Sequence, residues 1–469
     1  MNHKEISKEL LSFIDKSPTA FQAIDSFADM LSGAEELSEG EKWDLKEGRT
    51  YFVKRNGSSL IAFRIPETIK EDVAFQIVAT HSDCPLLKIK PRGEIAVENH
   101  YQKLNVEKYG GLIHAPWLDR PLSVAGRILV REAGNSSKVT TRLVDLKRDV
   151  ALIPNLAIHL NKQINEGYAY NPQIDLLPLF SDISEEGMTK EESRKEEPGK
   201  EKSDFKQAEK TGQNKSKLLE LVAREVGVCS EDILGADLFL YNRTQGTVWG
   251  ANEEFISSRS LDDLQCAYAM MRSFLSARNN PTGICVASVF DNEEVGSLTK
   301  QGADSTFFQD VLSRIWKTLG LETEGYVGAI SRSFMISADN AHAVHPNHPD
   351  KSDPTNRPFL NGGVVMKVNA NQKYTTDAIS EAVLKLLCEK AAVPLQTYAN
   401  RSDLPGGSTL GNLSNAHVSL NTVDIGLPQL AMHSPYETAG VKDTAYMFQL
   451  MKCFYETGIK MEKDGFSLI

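Results

Sequence analysis

The sequence predicts an α/β fold in which a β-rich domain is inserted into a larger α/β domain. After residue 255, helical and strand patterns alternate along the chain, which is typical of a sheet covered by helices on both faces. Residues 50–90 also contain strand patterns, whereas residues 92–180 consist of short β-rich segments with glycine turns. Two sheet-forming regions therefore flank the β-rich one, which indicates an insertion.

The helices and strands are predicted in chain order from the spacing of the apolar residues. Residues 6–32 have helical spacing, and Ser17-Pro18 predicts that this region contains two helices. The segment "DVAFQIVAT" is apolar on both faces, so we predict a central strand that ends near His81. Short β-rich segments continue to "DILGADLFLYN". Helices such as "DDLQCAYAMMRSFLSA" and strands such as "GICVASVF" alternate in the rest of the chain.

The predicted boundaries place residues 1–91 and 252–469 in the α/β domain and residues 92–251 in the inserted β-rich domain. A chain of 469 residues is too long for one ordinary core, which agrees with two domains. Within the insert, residues 182–217 are almost entirely charged or polar, and this composition predicts a disordered loop.

Charge, hydropathy and cysteine usage exclude several classes of protein. The net charge of −11 argues against a nucleic-acid partner, because phosphate binding requires clustered Lys and Arg. No run reaches the roughly 18 apolar residues of a membrane helix, and the first residues lack the apolar core of a signal peptide. The six cysteines form no CxxC pair, which excludes a zinc ribbon and indicates a reduced, cytoplasmic protein.

Strand-like runs in the α/β domain are followed directly by histidines or carboxylates. Ligands in open α/β sheets bind outside the carboxyl ends of the strands, so we expect these side chains to share one rim. They are His81, Asp83, Asp291, Glu293, Glu294, Asp339 and His433, and Asp262 joins them at the start of a helix.

The segment "FDNEEVGS" brings Asp291, Glu293 and Glu294 together within four residues. Neighbouring carboxylates repel and raise one another's pKa, and two bound cations would offset that repulsion. Histidine and carboxylate ligands without cysteine suit catalytic zinc, manganese or cobalt. Because consecutive side chains of an extended chain diverge, one glutamate can bind a metal while the other acts as a general base. Asp83 can hold the His81 imidazole in the tautomer that binds a metal.

Each of these residues also has an ordinary structural role open to it. Asp262 could cap a helix, and Glu293 and Glu294 could be solvated loop residues. The histidines could be exposed or hydrogen-bonded, but the joint occurrence of all these groups at strand ends favours a metal site. The motif "HAVHPNHPD" contains three further histidines, yet Pro346 and Pro349 interrupt any helix there. We therefore predict that one of these histidines contacts substrate, instead of a three-histidine metal site.

The chain resembles the aspartyl-aminopeptidase family of dinuclear zinc metallopeptidases in five motifs that occur in the same order, "ATHSDCP", "SRSLDDLQC", "FDNEEVGS", "SADNAHAVHPNH" and "AMHSPYETAG". The resemblance runs nearly end to end, with residues 182–217 as the exception. It implies a zinc-peptidase-like three-layer α/β/α domain with an inserted dimerisation domain. It also implies dimer-based homo-oligomers, up to tetrahedral dodecamers with inward-facing sites, which would limit substrates to short unfolded peptides.

The resemblance also implies a role for each site residue. Carried over by motif, the metal ligands are His81 and Asp339 for the first zinc, Glu294 and His433 for the second, and Asp262 as the bridge. Glu293 would be the general base, and the peptide bond after Asp262 would be cis. His159 of the inserted domain would reach the active site of a neighbouring subunit. The positions that match substrate contacts are His342, Lys367 and Tyr374.

The activity that the resemblance implies is that of a metallo-aminopeptidase with two Zn²⁺ per subunit, which Mn²⁺ or Co²⁺ could replace. Such an enzyme hydrolyses the N-terminal residue from peptides that have a free amine. Lys367 could pair with an acidic side chain, which favours Asp or Glu at the N-terminus of the substrate, whereas related enzymes prefer neutral residues such as Leu. The other possibilities are a dinuclear enzyme that hydrolyses a different amide and a catalytically idle assembly scaffold.

Overall fold

The computed structural model of the protein describes residues 2–132, 134–183, 216–278, 280 and 283–469. The chain forms two compact units, Met1–Pro85 with Gln245–Ile469 and Leu86–Thr244. The boundaries predicted from the sequence, after residues 91 and 251, lie a few residues further along the chain, because one strand of the second unit already starts at Leu86. The predicted disordered loop, residues 182–217, lies outside the described residues except at its ends.

The helices and strands are numbered in chain order. The helices are α1 (His3–Lys16), α2 (Ala20–Met30), α3 (Pro172–Asp175), α4 (Lys217–Val226), α5 (Leu261–Ser276), α6 (Phe307–Thr318), α7 (Thr323–Arg332), α8 (Ala378–Ala391), α9 (Leu410–Asn415) and α10 (Asp443–Glu456). The strands are β1 (Glu35–Leu37), β2 (Thr50–Arg55), β3 (Ser59–Arg64), β4 (Ala74–His81), β5 (Leu86–Val97), β6 (Tyr101–Tyr109), β7 (Leu122–Glu132), β8 (Asn135–Asp145), β9 (Leu179–Asp182), β10 (Ile233–Asn242), β11 (Thr247–Trp249), β12 (Phe255–Ser258), β13 (Gly283–Phe290), β14 (Phe334–Ala338), β15 (Ala341–His342), β16 (Val364–Val368), β17 (Leu395–Ala399), β18 (Asn421–Gly426), β19 (Pro428–Leu430), β20 (Glu437–Gly440), β21 (Ile459–Glu462) and β22 (Gly465–Leu468).

The first unit is built around a mixed sheet. Its strands lie in the order β1-β2-β3-β13-β4-β14-β18-β16-β17. β4 pairs in parallel with β13 on one side and with β14 on the other, and β14 is parallel to β18. The carboxyl ends of these neighbouring strands therefore lie at the same edge of the sheet, which is where sites form in α/β proteins.

Helices cover both faces of this sheet because both faces of its central strands are apolar. In β4, Phe75 and Ile77 pack into one core, whereas Val78 packs into the core on the opposite side. Ile284 and Cys285 of β13 divide in the same way. One core includes α1, α2, α5, α8 and α10, and the other includes α6, α7 and α9. The predicted three-layer α/β/α fold is thereby confirmed.

The first two helices show how local sequence sets the element boundaries. The side chain of Asn2 accepts a hydrogen bond from the N–H of Lys4 at 3.1 Å and caps the start of α1. The N–H of Ser17 then bonds back to the carbonyl oxygen of Ile14, and α2 starts after Thr19. The break that Ser17-Pro18 predicted is therefore confirmed. Among the described residues, none of the helices combines the length and the apolar character that a membrane crossing requires.

A smaller sheet of the first unit has the strand order β11-β12-β20-β19-β15. In it, β12 is antiparallel to β20, and Ser258 is the register partner of Glu437. The second unit is β-rich, as predicted, with a sheet in the order β8-β7-β10-β5-β6-β9 and the short helices α3 and α4. β10 is antiparallel to both of its neighbours, β7 and β5.

Candidate metal centre

The candidate metal centre lies at the edge of the main sheet where the parallel strands end. His81 is the last residue of β4, and Asp339 directly follows β14. After β13 the chain turns into a short 3₁₀ helix, Glu293–Val295, which carries the two adjacent glutamates. The structure therefore brings these rim residues to one place.

One cluster consists of His81, Asp262 and Asp339, each of which offers one ligand atom within 4.8 Å of the others. Nε2 of His81 lies 3.8 Å from Oδ1 of Asp262 and 3.7 Å from Oδ1 of Asp339. The side chains of His81 and Asp262 are buried, so solvent has little access to these atoms. One histidine nitrogen and two carboxylate oxygens are a ligand set typical of catalytic zinc, which keeps a further position open.

A second cluster consists of Asp262, Glu294 and His433, whose ligand atoms also lie within 4.8 Å of one another. Nε2 of His433 lies 3.4 Å from Oδ2 of Asp262 and 3.3 Å from Oε2 of Glu294. Asp262 thus belongs to both clusters, with Oδ1 on the side of His81 and Oδ2 on the side of His433. A carboxylate in this position can bridge two cations.

Asp83 contacts the clusters through its main chain and its side chain. Nδ1 of His81 lies 2.9 Å from the carbonyl oxygen of Asp83. Because a carbonyl oxygen can only accept, Nδ1 carries a hydrogen, which leaves Nε2 as the nitrogen of the neutral ring that can bind a metal. The carboxylate of Asp83 accepts hydrogen bonds from the N–H groups of Glu293 and Glu294, at 3.1 and 3.2 Å. The sequence predicted the contact with His81 but not the contacts with the glutamate backbone.

Asp263 and Glu437 also hold the clusters, and neither was predicted from the sequence. Oδ2 of Asp263 accepts from the N–H of His81 at 3.3 Å, and the Asp262–Asp263 peptide bond is cis, as the resemblance implied. Glu437 accepts from the N–H groups of Asp262 and His433, at 3.1 and 2.7 Å. Both residues stand inside quoted motifs, "SRSLDDLQC" and "AMHSPYETAG". A second acidic residue within a ligand motif was the signal that could have identified them.

The electrostatics of the centre favour bound cations. Burial raises the pKa of the Glu293 carboxyl to about 8, and burial together with the charge of Asp262 raises the pKa of Glu294. Three buried carboxylate oxygens have no hydrogen-bond partner among the described residues, namely Oδ1 of Asp262, Oδ1 of Asp263 and Oε1 of Glu294. Divalent cations at the two clusters would satisfy the oxygens of Asp262 and Glu294 and relieve the repulsion, so the residues present fit a pair of zinc ions.

The residues predicted to contact substrate lie beside the first cluster. Lys367 of β16 is buried, and its Nζ donates to Oδ2 of Asp339 at 3.1 Å. The same Nζ lies 5.6 Å from the centre of the Tyr374 ring. The ring of Tyr398 follows at 6.5 Å from that of Tyr374, and the exposed His342 ring lies 6.1 Å from Tyr398. An ammonium group and a row of rings thus adjoin the first cluster.

His159 lies in the second unit, on an exposed turn. Its neighbours Leu156 and Ile158 are each 54% exposed, and Leu160 is 74% exposed. Apolar side chains grouped on a surface in this way are typical of a protein contact.

Histidine and carboxylate clusters that share an aspartate at the strand ends of an α/β/α domain define a metal-dependent hydrolase. Comparison with known proteins makes this class more specific. Residues 13–455 match the family described as "Aminopeptidase I zinc metalloprotease (M18)". The chain therefore belongs to the M18 family of zinc metalloproteases, and its class of activity is that of an aminopeptidase.

Individual relatives cover almost the whole chain. "Probable M18 family aminopeptidase 2" of Clostridium novyi (strain NT) is 43% identical over 456 residues, which are 97% of this chain and 99% of the relative. The solved complex of Ape4 and Nbr1 has a TM-score of 0.87 at 36% identity and covers 97% of this chain and 86% of that chain. The mApe1 dodecamer of S. cerevisiae has a TM-score of 0.81 at 25% identity, with 97% of each chain covered.

Proposed function

We propose that this protein removes the N-terminal residue from short peptides at two zinc ions, one held by each cluster. The observation that carries this proposal is the placement of Asp262, because its two oxygens serve different clusters, 3.8 Å from Nε2 of His81 and 3.4 Å from Nε2 of His433. In this assignment His81 and Asp339 complete the first site, and Glu294 and His433 complete the second.

Bound zinc would polarise the scissile carbonyl and lower the pKa of the attacking water. Glu293 is the general base in this proposal, since its carboxylate offers an atom within 4.8 Å of ligand atoms of His81 and Glu294. It accepts the proton of the attacking water and passes it to the leaving amine. Asp83 fixes the backbone from which Glu293 projects, through the hydrogen bond of 3.1 Å to the N–H of Glu293.

We further propose a preference for Asp or Glu at the N-terminus of the substrate. Lys367 supports it, because an ammonium has three donors and the hydrogen bond to Asp339 uses one of them. The rings of Tyr374 and Tyr398 favour the alternative, a neutral residue such as Leu, since they give the same region an apolar wall. The charge of a buried lysine outweighs ring contacts when the partner is a carboxylate, so the acidic preference is the first choice.

The active assembly in this proposal is a homo-oligomer built from dimers, and the mApe1 dodecamer of S. cerevisiae supports an assembly of that size. The apolar side chains around His159 would pack against a second copy, and His159 would contact substrate in the neighbouring site. A cytoplasmic location is part of the proposal, because the cysteines of the described residues are unpaired thiols, as in a reducing compartment.

The test is peptide cleavage before and after removal of metal. Matched peptides beginning with Asp, Glu or Leu are offered to the protein as purified, after chelation, and after return of zinc, manganese or cobalt. We expect release of the first residue, its loss on chelation and its return with metal, and no cleavage of amino-blocked peptides.

The other outcomes identify the alternatives. Preferential release of Leu would keep the two-zinc mechanism and reject the acidic preference. Cleavage of amino-blocked peptides would indicate a different amide hydrolase. A metal-loaded protein that releases no residue from any peptide would contradict the proposal and favour an assembly scaffold.

A further inference from the structure

The carboxylate of Glu437 joins two residues of the second cluster. Its Oε1 accepts a hydrogen bond from the N–H of His433 at 2.7 Å, and its Oε2 accepts one from the N–H of Asp262 at 3.1 Å. Glu437 is only 1% exposed, so water does not compete for either bond. Its oxygens are thereby turned towards main-chain donors, and the residue acts on the cluster through its neighbours.

The turn that carries His433 needs an external support. His433 has a φ of 66° and Ala431 has a φ of 54°, so two non-glycine residues of this turn adopt the left-handed region. Such a residue is less favourable than one in ordinary backbone, because its Cβ lies too close to the following carbonyl oxygen. The hydrogen bond between Glu437 and the N–H of His433 can offset this cost. The position of the His433 ring therefore depends on Glu437.

The ladder between β12 and β20 places Glu437 next to Asp262. Ser258 is the register partner of Glu437, and three residues separate Ser258 from Asp262. The connection passes through Ser260, whose φ of 55° turns the chain at the start of α5. The two segments that supply Asp262 and His433 are thus tied to each other by one carboxylate at the end of the ladder.

The segment after β13, which carries Glu293 and Glu294, has a comparable support. Asp83 uses its two carboxylate oxygens to accept from the N–H groups of Glu293 and Glu294. The centre is therefore held by two buried acidic residues, Asp83 and Glu437, that each bond two main-chain donors. Such outer contacts fix ligand geometry, and their loss typically weakens metal binding by about 10- to 100-fold.

We propose that Glu437 is a positioning residue that sets the geometry of the second zinc site by fixing Asp262 and His433 relative to each other. This inference rests on the proposed function, since it needs the two clusters to bind zinc. It also predicts that loss of the Glu437 carboxylate weakens the second zinc site more than the first. The second site depends on Glu437 through two ligands, whereas the first site depends on it only through Asp262.

The test is the Glu437→Gln variant, which keeps the shape of the side chain. An amide oxygen can accept from only one of the two N–H groups, and the amide nitrogen would then face the other donor. Zinc stoichiometry and affinity are measured by competition with a chromophoric chelator. We expect the unmodified protein to bind two equivalents tightly, and the variant to bind one tightly and the second about 10- to 100-fold more weakly. Excess zinc should then restore turnover to the variant.

Asp443→Asn is the matched control. Asp443 is also fully buried and also accepts from two main-chain N–H groups, those of Asn361 at 2.7 Å and Gly363 at 3.1 Å. Neither of these donors belongs to a residue of the clusters. The control should lose thermal stability without a change in zinc stoichiometry, whereas Glu437→Gln should change the affinity of one zinc equivalent.

The outcomes separate this inference from the proposed function. Two tight equivalents in both the variant and the unmodified protein would overturn the role of Glu437 and leave the proposed function standing. Equal weakening of both equivalents in the variant would overturn selective positioning. Fewer than two equivalents in the unmodified protein would overturn the proposed function itself.

Hydrogen exchange of the unmodified protein decides the question if Glu437→Gln does not fold. Since one carboxylate holds both donors, peptides that contain the amides of Asp262 and His433 should lose protection together when the second zinc equivalent is withdrawn. Protection that is lost at one amide and kept at the other would overturn the inference.

Discussion

Nζ of Lys367 donates a hydrogen bond to Oδ2 of Asp339 at 3.1 Å, inside the protein. Burial would lower the pKa of Lys367, but the charge of Asp339 raises it above its usual value. Burial would likewise raise the pKa of Asp339, but Lys367 and His81 hold it well below its usual range. The pair therefore stays ionised, and a residue expected to bind substrate also holds a predicted metal ligand.

Lys367→Met should change the choice of substrate. If Lys367 pairs with an acidic side chain, its loss removes a charge-assisted hydrogen bond worth roughly 1.5–3 kcal/mol, which is about 10- to 100-fold in kcat/KM. We expect kcat/KM for peptides beginning with Asp or Glu to fall by this factor relative to kcat/KM for peptides beginning with Leu. Steady-state kinetics on matched peptides measures it.

Lys373→Met is the control for this prediction, because Lys373 is exposed and lies close in the chain. Lys373→Met should leave kcat/KM unchanged for all of the peptides. An equal loss for acidic and Leu peptides in Lys367→Met would mean that Lys367 acts through Asp339 alone.

Glu293→Gln should separate metal binding from turnover. Glu293 serves as the base in the proposed mechanism, and its amide counterpart cannot accept a proton at neutral pH. We expect zinc content to stay unchanged and kcat to fall by at least about 10²- to 10⁴-fold, the range of a lost general base. Metal analysis and kinetics are carried out on the same preparation.

An exposed glutamate provides the comparison for that variant. Glu324→Gln, in the first turn of α7, should keep full activity. Activity of Glu293→Gln near that of the unmodified protein would show that another group takes the proton.

The sequence could predict the site residues that are marked by their position in their own segment of the chain. His81 and Asp339 stand directly after apolar strand runs, and the rule that sites form at carboxyl strand ends places them together. Glu437 and Asp263 do not follow an apolar strand run, and what matters for them is a hydrogen bond to main-chain N–H groups 175 and 182 positions away in the chain. Only the β12–β20 register and the start of α5 bring these donors within reach.

Asp83 was predicted from the sequence as a site residue, but most of its hydrogen-bond partners were not. The sequence predicted that it orients His81, and the structure assigns the 2.9 Å contact with Nδ1 to its carbonyl oxygen. Its carboxylate accepts hydrogen bonds from the N–H groups of Glu293 and Glu294, which lie 210 and 211 positions further along the chain. Residue type alone could not distinguish between these uses of one aspartate.

Leu160→Glu should disrupt the proposed assembly. Leu160 is 74% exposed beside His159 in the second unit, and a buried contact with another copy would not accommodate a charge. We expect sedimentation analysis to show a smaller species than the unmodified protein, with loss of activity if His159 completes a neighbouring site. Val327→Glu, at a position 71% exposed on α7, is the control and should leave the size unchanged. An unchanged size for Leu160→Glu would contradict the role of this surface.

Asp443 should make part of the stability of the protein depend on pH. Burial raises its pKa to about 7, although the N–H groups of Asn361 and Gly363 and the charge of Lys442 act against the rise. In the unfolded chain the pKa is roughly 3.9, so between about pH 4 and pH 7 the folded protein binds more protons than the unfolded one. The contribution of this group to the free energy of unfolding is therefore greatest at low pH and is lost as the pH rises through about 7.

The asparagine variant isolates this contribution because it does not titrate. Metal binding also changes with pH, but it does so equally in both proteins and cancels in the comparison. We expect the melting temperature of the unmodified protein to exceed that of Asp443→Asn by more at pH 5 than at pH 8. A difference that is the same at both pH values, or larger at pH 8, would mean that the folded protein holds this carboxyl ionised, with the two N–H bonds outweighing its burial.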